Sequence, residues 1–269
     1  DPTRDAAAAA GLNALDRWAL QQTAILVEAV TAAYEASEFH RVYQLCNQFC
    51  AVTLSATYHD ILKDRLYTLG SRSSLRRSSQ TAIDLIFRAL VRLLAPVIPF
   101  TTDEAWSFAT ARQEYAADSV HLQDWPEAPA GWRDAALEAD FAVLLRLRTR
   151  INEAIEPRRA AGQLGKSLDA SVALAFPPGD PVAAILGRHQ ALLAELFIVS
   201  HVSVEPLIDS HPPRDPAAPA AGVEAVAITV RHSEELDFIR CPRCWRWVPG
   251  LDSSRPEPVC SRCVEALNS

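Results

Sequence analysis

The chain has 269 residues, of which 49% are hydrophobic and 22% are charged, and its formal net charge is −7. These values are typical of a soluble globular protein of about two domains and exclude a disordered chain or a coiled-coil fibre. The acidic sum argues against a general nucleic-acid coat protein, whose affinity comes from excess positive charge. The sequence shows neither a signal peptide nor an apolar run long enough for a membrane span, so we expect a cytoplasmic protein with no membrane partner. It contains no methionine, which indicates a piece of a longer chain or a processed one.

Positive charge is concentrated in two stretches that flank an acidic one. Residues 60–92 contain seven basic and three acidic side chains, residues 142–166 contain six and two, and residues 93–141 contain two and nine. The ordinary interpretation is a set of solvated helix faces. The alternative is a track for a polyanion on one side of the protein.

The first 165 residues are predicted to be mainly helical, because apolar side chains recur at a spacing of three to four residues. Long helices are predicted over residues 12–37, 38–69, 78–94 and 134–161. Pro96 and Pro99 are expected to end the third of these. Thr101 and Glu104 have the spacing of a capping box and predict the start of a shorter helix. Residues 113–133 are expected to form a loop.

After Gly162 the pattern changes to short runs rich in β-branched residues, which favour strands. Strands are predicted at 171–176, 197–204 and 223–230, with a helix at 181–196. Residues 206–222 are rich in proline and alanine and indicate a linker or long loop. The predicted fold class is therefore mainly α: a helical bundle, then a small α+β domain and a cysteine-rich tail.

Four of the six cysteines form two Cys-x-x-Cys pairs, separated by fifteen residues, near the end of the chain: Cys241, Cys244, Cys260 and Cys263. This spacing predicts one structural zinc ion held by two knuckles. Two disulfides are disfavoured because nothing signals secretion, and a redox site needs only one such pair. Cys46 and Cys50 lie four residues apart on an apolar helix and are expected to be buried core thiols.

Several motifs resemble the C-terminal part of bacterial isoleucyl-tRNA synthetases of class I. They occur in the same order as in that family and are spread over nearly the whole chain. The helical motifs lie at Tyr58–Tyr67, Arg77–Thr81 and Leu94–Trp106, and the later ones at Asn152–Arg158, Gly165–Ala170, Phe197–Ser200, Cys241–Trp245 and Cys260–Cys263. The helical motifs are shared with valyl and leucyl relatives. The Gly-Lys-Ser-Leu-Asp-Ala run and the terminal knuckles are similar to the isoleucyl branch.

The resemblance implies a helical anticodon-binding domain at 1–133, an α+β junction domain with a long helix at 134–232, and a zinc-binding module at 233–269. It implies tRNA(Ile) as partner, no DNA, and a monomer within the full-length enzyme. Class I synthetases hold ATP with His-x-Gly-His and Lys-Met-Ser-Lys motifs, and this sequence contains neither. We therefore expect no catalytic residues here. The catalytic and editing domains are expected upstream, with ATP bound only by the catalytic domain.

Candidate tRNA contacts are basic or aromatic, since phosphates attract cations and unstacked anticodon bases stack on aromatic rings. They are Trp245, Arg243, Arg246, Arg262, Arg72, Arg76, Arg77, Lys63, Arg65 and Lys166. Several have competing interpretations. Trp245 could cover the metal site instead, Trp247 is the rival aromatic, and Lys63 and Arg65 could form an ion pair with Asp64, which lies between them. Lys166 could interact with the C-terminal end of the long helix.

Two other functions are compatible with parts of the sequence. A free-standing tRNA-binding or regulatory protein derived from a synthetase would carry the same motifs. A DNA glycosylase of the formamidopyrimidine type has a similar terminal zinc finger, but such enzymes use an N-terminal proline as nucleophile. Here Asp1 precedes Pro2 and helices are predicted to follow, so this function is rejected.

Overall fold

A computed structural model describes residues 11–110, 119–207 and 222–268. The chain divides into two compact units, residues 1–138 and 139–269. The first unit is helical and the second combines helices with two small sheets. The predicted mainly α class is confirmed. Across the described ranges, no helix is both long and apolar enough to cross a membrane.

The first unit is built from long helices. They are α1 (Ala14–Glu35), α2 (Phe39–Gln48), α3 (Asp60–Thr68), α4 (Ser74–Leu94) and α5 (Pro99–Thr110), followed by the start of α6 (Ala135–Ala160). A π-helical segment, Phe49–His59, joins α2 to α3 without a break, so the predicted helix at 38–69 is continuous but changes its winding. Helix α1 packs against α2 and α4, and its buried stripe includes Leu15, Trp18 and Val30.

Two helix starts differ from the prediction. Helix α4 begins at Ser74 instead of Ser78, because the hydroxyl of Ser73 accepts a hydrogen bond from the Arg76 amide at 3.5 Å. Helix α5 begins at Pro99, so Thr101 lies inside it and the predicted capping box at Thr101 is wrong. Proline is favoured at the first helical position, where its missing N–H costs nothing.

The second unit continues with the rest of α6 and a three-stranded sheet. The strands are β1 (Ala170–Phe176), β2 (His201–Pro206) and β3 (Ala227–His232), in the order β2-β1-β3. Strand β1 pairs in parallel with β2 and antiparallel with β3. Helices α7 (Pro181–Arg188) and α8 (Gln190–Leu196) supply the parallel crossover. Val172 and Leu174 of the central strand are buried.

Two predicted strands begin later than expected. Phe197 and Val199 are buried, yet they lie in the turn after α8 and not in β2, which starts at His201 opposite Ser171. The third strand starts at Ala227, because Val223–Ala225 forms a single 3-10 turn. Most of the predicted linker at 206–222 lies outside the described residues, as does part of the predicted loop at 113–133.

The cysteine-rich tail lies in the second unit. Strands β4 (Ile239–Arg240) and β5 (Trp247–Val248) form a two-stranded ribbon, and helix α9 (Ser261–Leu267) closes the chain. The first Cys-x-x-Cys pair lies in the turn between β4 and β5. The second pair lies at the start of α9, for which Cys260 is the N-terminal flanking residue.

Candidate functional site

The four tail cysteines converge on one point. Their sulfur atoms all lie within 4.8 Å of one another. The Sγ atoms of Cys241 and Cys263 are 3.9 Å apart, and those of Cys244 and Cys260 are 3.7 Å apart. These distances are too long for disulfides, whose sulfurs are about 2.05 Å apart. Four thiolates around a tetrahedral ion at about 2.3 Å would be separated by about 3.8 Å, so the group fits a metal ion.

The backbone of the knuckles prepares one thiol for ionisation. Burial opposes the charge on Cys241, but hydrogen bonds from the amides of Cys244, Cys260 and Arg243 outweigh it and lower the pKa of Cys241 to about 6. Burial raises the pKa of Cys260 and that of Cys263. Without a cation, ionisation of all four thiols is therefore unfavourable. A metal ion supplies that cation and replaces the protons.

The cysteines are also the core of the tail. All four are buried, and among the described residues the one further buried member of their cluster is Val259. Val248, Leu251 and Val264 pack around it but remain partly exposed. A segment with so little apolar surface does not normally fold without a metal or disulfides. The metal site is therefore the structural centre of the tail.

Three arginines predicted to bind RNA lie close to the cysteine cluster. Arg243 Nη1 donates to Cys263 Sγ at 3.4 Å, and Arg243, Arg246 and Arg262 are each half-buried. Four thiolates around a divalent ion leave a formal charge of −2, which neighbouring guanidinium groups offset. Arg243 is thus engaged with the metal site itself.

Trp245 is the exposed aromatic residue of the tail. Its side chain is 51% exposed, and its backbone is left-handed, with φ of 64°. Lys166 Nζ lies 4.4 Å from the centre of its ring, and the guanidinium carbon of Arg240 lies 5.8 Å from it. The structure therefore places an exposed ring and two cations together. The observed contact of the Lys166 ammonium is with this ring.

Trp247 is half-buried and hydrogen-bonded within the protein. Its indole Nε1 donates to Asp169 Oδ1 at 3.0 Å, and its backbone amide donates to Ser200 Oγ at 2.8 Å. The ring also makes an edge contact with His232, with centroids 5.0 Å apart. Both polar hydrogens of this residue are engaged within the protein, which leaves Trp245 as the aromatic residue offered to solvent.

A groove of about 900 Å³ in the helical unit brings together the three arginines at the start of α4. Arg72, Arg76 and Arg77 line it, with Tyr67 and Phe87 among the apolar walls. Arg72 is exposed, whereas Arg76 and Arg77 are half-buried. Arg76 Nη1 donates to the carbonyl of Leu69 at 2.9 Å. No ion pair with a carboxylate is seen for these arginines within the described ranges. Asp84 also lines the groove but pairs with Arg88, so the groove keeps an excess of positive charge.

Two predicted contacts on α3 are engaged elsewhere. Arg65 is 2% exposed and lies 3.5 Å from the carboxylate of buried Asp16, so its interpretation as a surface phosphate contact is corrected to a core ion pair. Lys63 is exposed but pairs with Asp60 at 2.9 Å. The predicted competitor for both was an ion pair with Asp64, which lies between them. The observed partners are Asp60 for Lys63 and, 49 residues away, Asp16 for Arg65.

Ion pairing also reduces the charge that the two basic stretches offer to a partner. Arg88 pairs with Asp84, Arg146 and Arg150 with Glu224, and Arg159 with Glu156. Asp84 and Glu156 lie within the stretches, whereas Glu224 comes from outside them and balances part of the excess counted in the sequence. The solvated, ion-paired helix face is the better description of these segments outside the groove.

Sequence reasoning missed Asp169, Ser200 and Arg240. The first two are 78 and 47 residues from Trp247 in the chain, so no local pattern could have found them. Arg240 precedes the first knuckle and could have been included with its basic neighbours. Cys46 is buried and Cys50 half-buried, and burial raises the pKa of Cys46 to about 11, which is consistent with a core thiol.

Comparison with known proteins agrees with this arrangement. A family model described as the anticodon-binding domain of tRNA ligase matches residues 16–174. The isoleucine–tRNA ligase of Syntrophotalea carbinolica is 39% identical over 268 residues, which cover 99% of this chain and 28% of that protein. Those of Thermotoga petrophila and Geobacter sulfurreducens are 35% and 36% identical with the same coverage.

These matches confirm the resemblance read from the motifs. They also show that the chain spans only about 28% of the length of the curated relatives it matches. The family model covers more than half of the chain and includes the arginine groove. The chain therefore belongs to the family of anticodon-binding domains of tRNA ligases.

Proposed function

We propose that this chain is the tRNA-recognition part of an isoleucine–tRNA ligase and that its partner is tRNA(Ile). The observation that carries the proposal is the groove of Arg72, Arg76 and Arg77, which lies within the matched anticodon-binding region and is not neutralised by ion pairs among the described residues. The relatives that match along the chain are isoleucine–tRNA ligases. The remainder of such a ligase uses ATP to charge the tRNA. The full-length ligase acts in the cytoplasm as a monomer.

Recognition divides between the two units. The groove arginines contact phosphates, which fix the position of the RNA without reading its sequence. Trp245 stacks on an unstacked base, and Lys166 and Arg240 contact the phosphates beside it. Arg246 and Arg262 add positive charge around the same module. Arg65 is not among the proposed tRNA contacts, because it is buried.

We further propose that the ion held by Cys241, Cys244, Cys260 and Cys263 is zinc, one per chain. A site of four thiolates with tetrahedral spacing suits zinc above the hard cations, which prefer oxygen ligands. All four positions are filled by protein, so the ion has no open place for a substrate. Its role is structural: it holds the loop that carries Trp245.

Replacing Arg72, Arg76 and Arg77 together with alanine is expected to weaken binding of tRNA(Ile). Each arginine removed leaves about one phosphate with its own counterion, so three fewer counterions are released on binding. The plot of log affinity against log salt should therefore become shallower by about three. Filter binding or fluorescence titration of the chain between low and moderate salt measures both quantities.

The control is a triple variant with the same change in net charge. Arg17, Arg41 and Arg133 are each paired with an acid, namely Asp134, Glu38 and Glu28, and all three lie outside the basic stretches. Their replacement with alanine should leave the salt slope close to that of the parent chain. Equal slopes for the two triple variants would contradict the proposed role of the groove.

A further inference from the structure

We infer that Asp169 is a positioning residue for tRNA recognition, because its carboxylate binds the backbone of Lys166 and also the side chain of Trp247, two residues after Trp245. The inference rests on the proposed function of Trp245. Asp169 itself does not meet the RNA. It acts through the residues that do.

One oxygen of Asp169 fixes the lysine. Asp169 Oδ2 accepts hydrogen bonds from the backbone amides of Lys166 at 2.8 Å and Gly165 at 3.2 Å. A Cβ atom at Gly165 would lie 3.3 Å from this oxygen, a tight contact, so glycine favours the close approach. The loop is thereby closed tightly, and the Lys166 side chain leaves it in a defined direction.

The other oxygen fixes the tail. Asp169 Oδ1 accepts the indole N–H of Trp247 at 3.0 Å. Ser200 adds a second link, because its hydroxyl oxygen accepts the Trp247 amide while its proton goes to the Leu168 carbonyl. The tail is therefore attached at two points: Asp169 lies directly before β1, and Ser200 lies directly before β2.

Trp245 is two residues from this anchor, and its own backbone is fixed. The Trp245 amide donates to the Cys241 carbonyl, and the Cys241 amide donates to the Arg246 carbonyl, each at 2.9 Å. Metal binding fixes the knuckle internally, but it does not fix the knuckle relative to Lys166. The hydrogen bonds from Trp247 to Asp169 and Ser200 do so, and the Trp245 ring centre lies 4.4 Å from Lys166 Nζ.

Lysine-specific NMR tests the geometry directly. The chain contains only two lysines, Lys63 and Lys166, so biosynthetic 13C-lysine gives two side-chain ε-methylene signals. Lys166 lies over an indole ring and its signal should be shifted upfield by the ring current, whereas Lys63 serves as the internal reference. Asp169→Ala and Trp247→Phe should both return the Lys166 signal toward that of Lys63. An unchanged upfield signal in both variants would overturn the inference.

Measurements of tRNA(Ile) binding test whether Asp169 affects recognition of the RNA. Loss of base stacking in Trp245→Ala corresponds to about 5- to 150-fold weaker binding, and Asp169→Ala should cause at least about a threefold loss. In the Trp245→Ala background, Asp169→Ala should cost less than it does in the parent chain, because only the positioning of Lys166 is left to lose. Zinc content, measured for each variant, should stay at the level of the parent chain.

The two proposals fail in different ways. If Trp245→Ala binds tRNA like the parent chain, the proposed role of Trp245 is contradicted and the inference falls with it. If Trp245→Ala weakens binding but neither Asp169→Ala nor Trp247→Phe does, only the inference is overturned. Equal losses from Asp169→Ala in both backgrounds would also overturn it. Trp247→Phe removes the indole N–H donor and keeps a smaller aromatic ring, so it tests the link even if Asp169→Ala unfolds the tail.

Discussion

Removal of the metal is expected to unfold the tail from residue 233 onward and to leave the helices of the first unit intact. The buried core of the tail consists of the four cysteines and Val259, so without the ion little apolar surface remains to offset the chain entropy. Structural zinc contributes roughly 10–16 kcal/mol in comparable peptides. That is as large as the roughly 5–15 kcal/mol net stability of a whole domain.

Amide exchange with and without a chelator measures this prediction. The amides of β4, β5 and α9 should lose their protection, while those of α1 and α4 should keep theirs. Metal analysis of Cys260→Ser should show loss of zinc, and Cys46→Ser is the matched control with a full complement. A tail equally protected in chelator, or a full zinc complement in Cys260→Ser, would contradict the structural role of the site.

Replacing Asp16 with alanine is expected to destabilise the first unit by about 3–5 kcal/mol, because it leaves the buried cation of Arg65 without its counter-charge. Asp16 is fully buried, and its carboxylate accepts hydrogen bonds from the hydroxyls of Tyr58 at 2.6 Å and Ser78 at 2.5 Å. Ser79 bridges Asp16 and Arg65. The variant thus leaves several buried donors without an acceptor.

The matched control is Asp60→Ala, which breaks the exposed pair with Lys63 on α3. An exposed pair contributes little to stability, so this variant should resemble the parent chain. Native-state amide exchange of α1, α3 and α4 reports the stability of the first unit separately from the second. Equal protection in Asp16→Ala and Asp60→Ala would show that the buried network is not what holds these helices together.

Features encoded by nearby residues were predicted from the sequence. The convergence of Cys241, Cys244, Cys260 and Cys263 follows from two short turns, whose spacing brings the sulfurs together. The helices of the first unit follow from apolar periodicity, and α6 was predicted to within a residue at each end. The start of β2 was not predicted correctly. A strand begins where its pairing with a neighbour begins, here β1, whereas the prediction used the content of β-branched residues.

Features that depend on distant residues could not be predicted. Arg65 lies in a basic stretch by sequence, but Asp16 on another helix makes it a core residue. The sequence does not distinguish Trp245 from Trp247. The hydrogen bond to Asp169 and the exposure of Trp245 show which one is held within the protein. The second basic stretch offers less free charge than its sequence suggests for the same reason, since Glu224 approaches it only in the folded chain.

The central claim is that this chain recognises the anticodon region of tRNA(Ile), and the most direct test compares its affinity for two tRNAs. One is tRNA(Ile), and the other is the same molecule with its anticodon replaced. We expect tighter binding of the first, and we expect Trp245→Ala to reduce the difference because stacking on an unstacked base is lost. Equal affinities of the parent chain for the two tRNAs, with zinc bound, would contradict this claim.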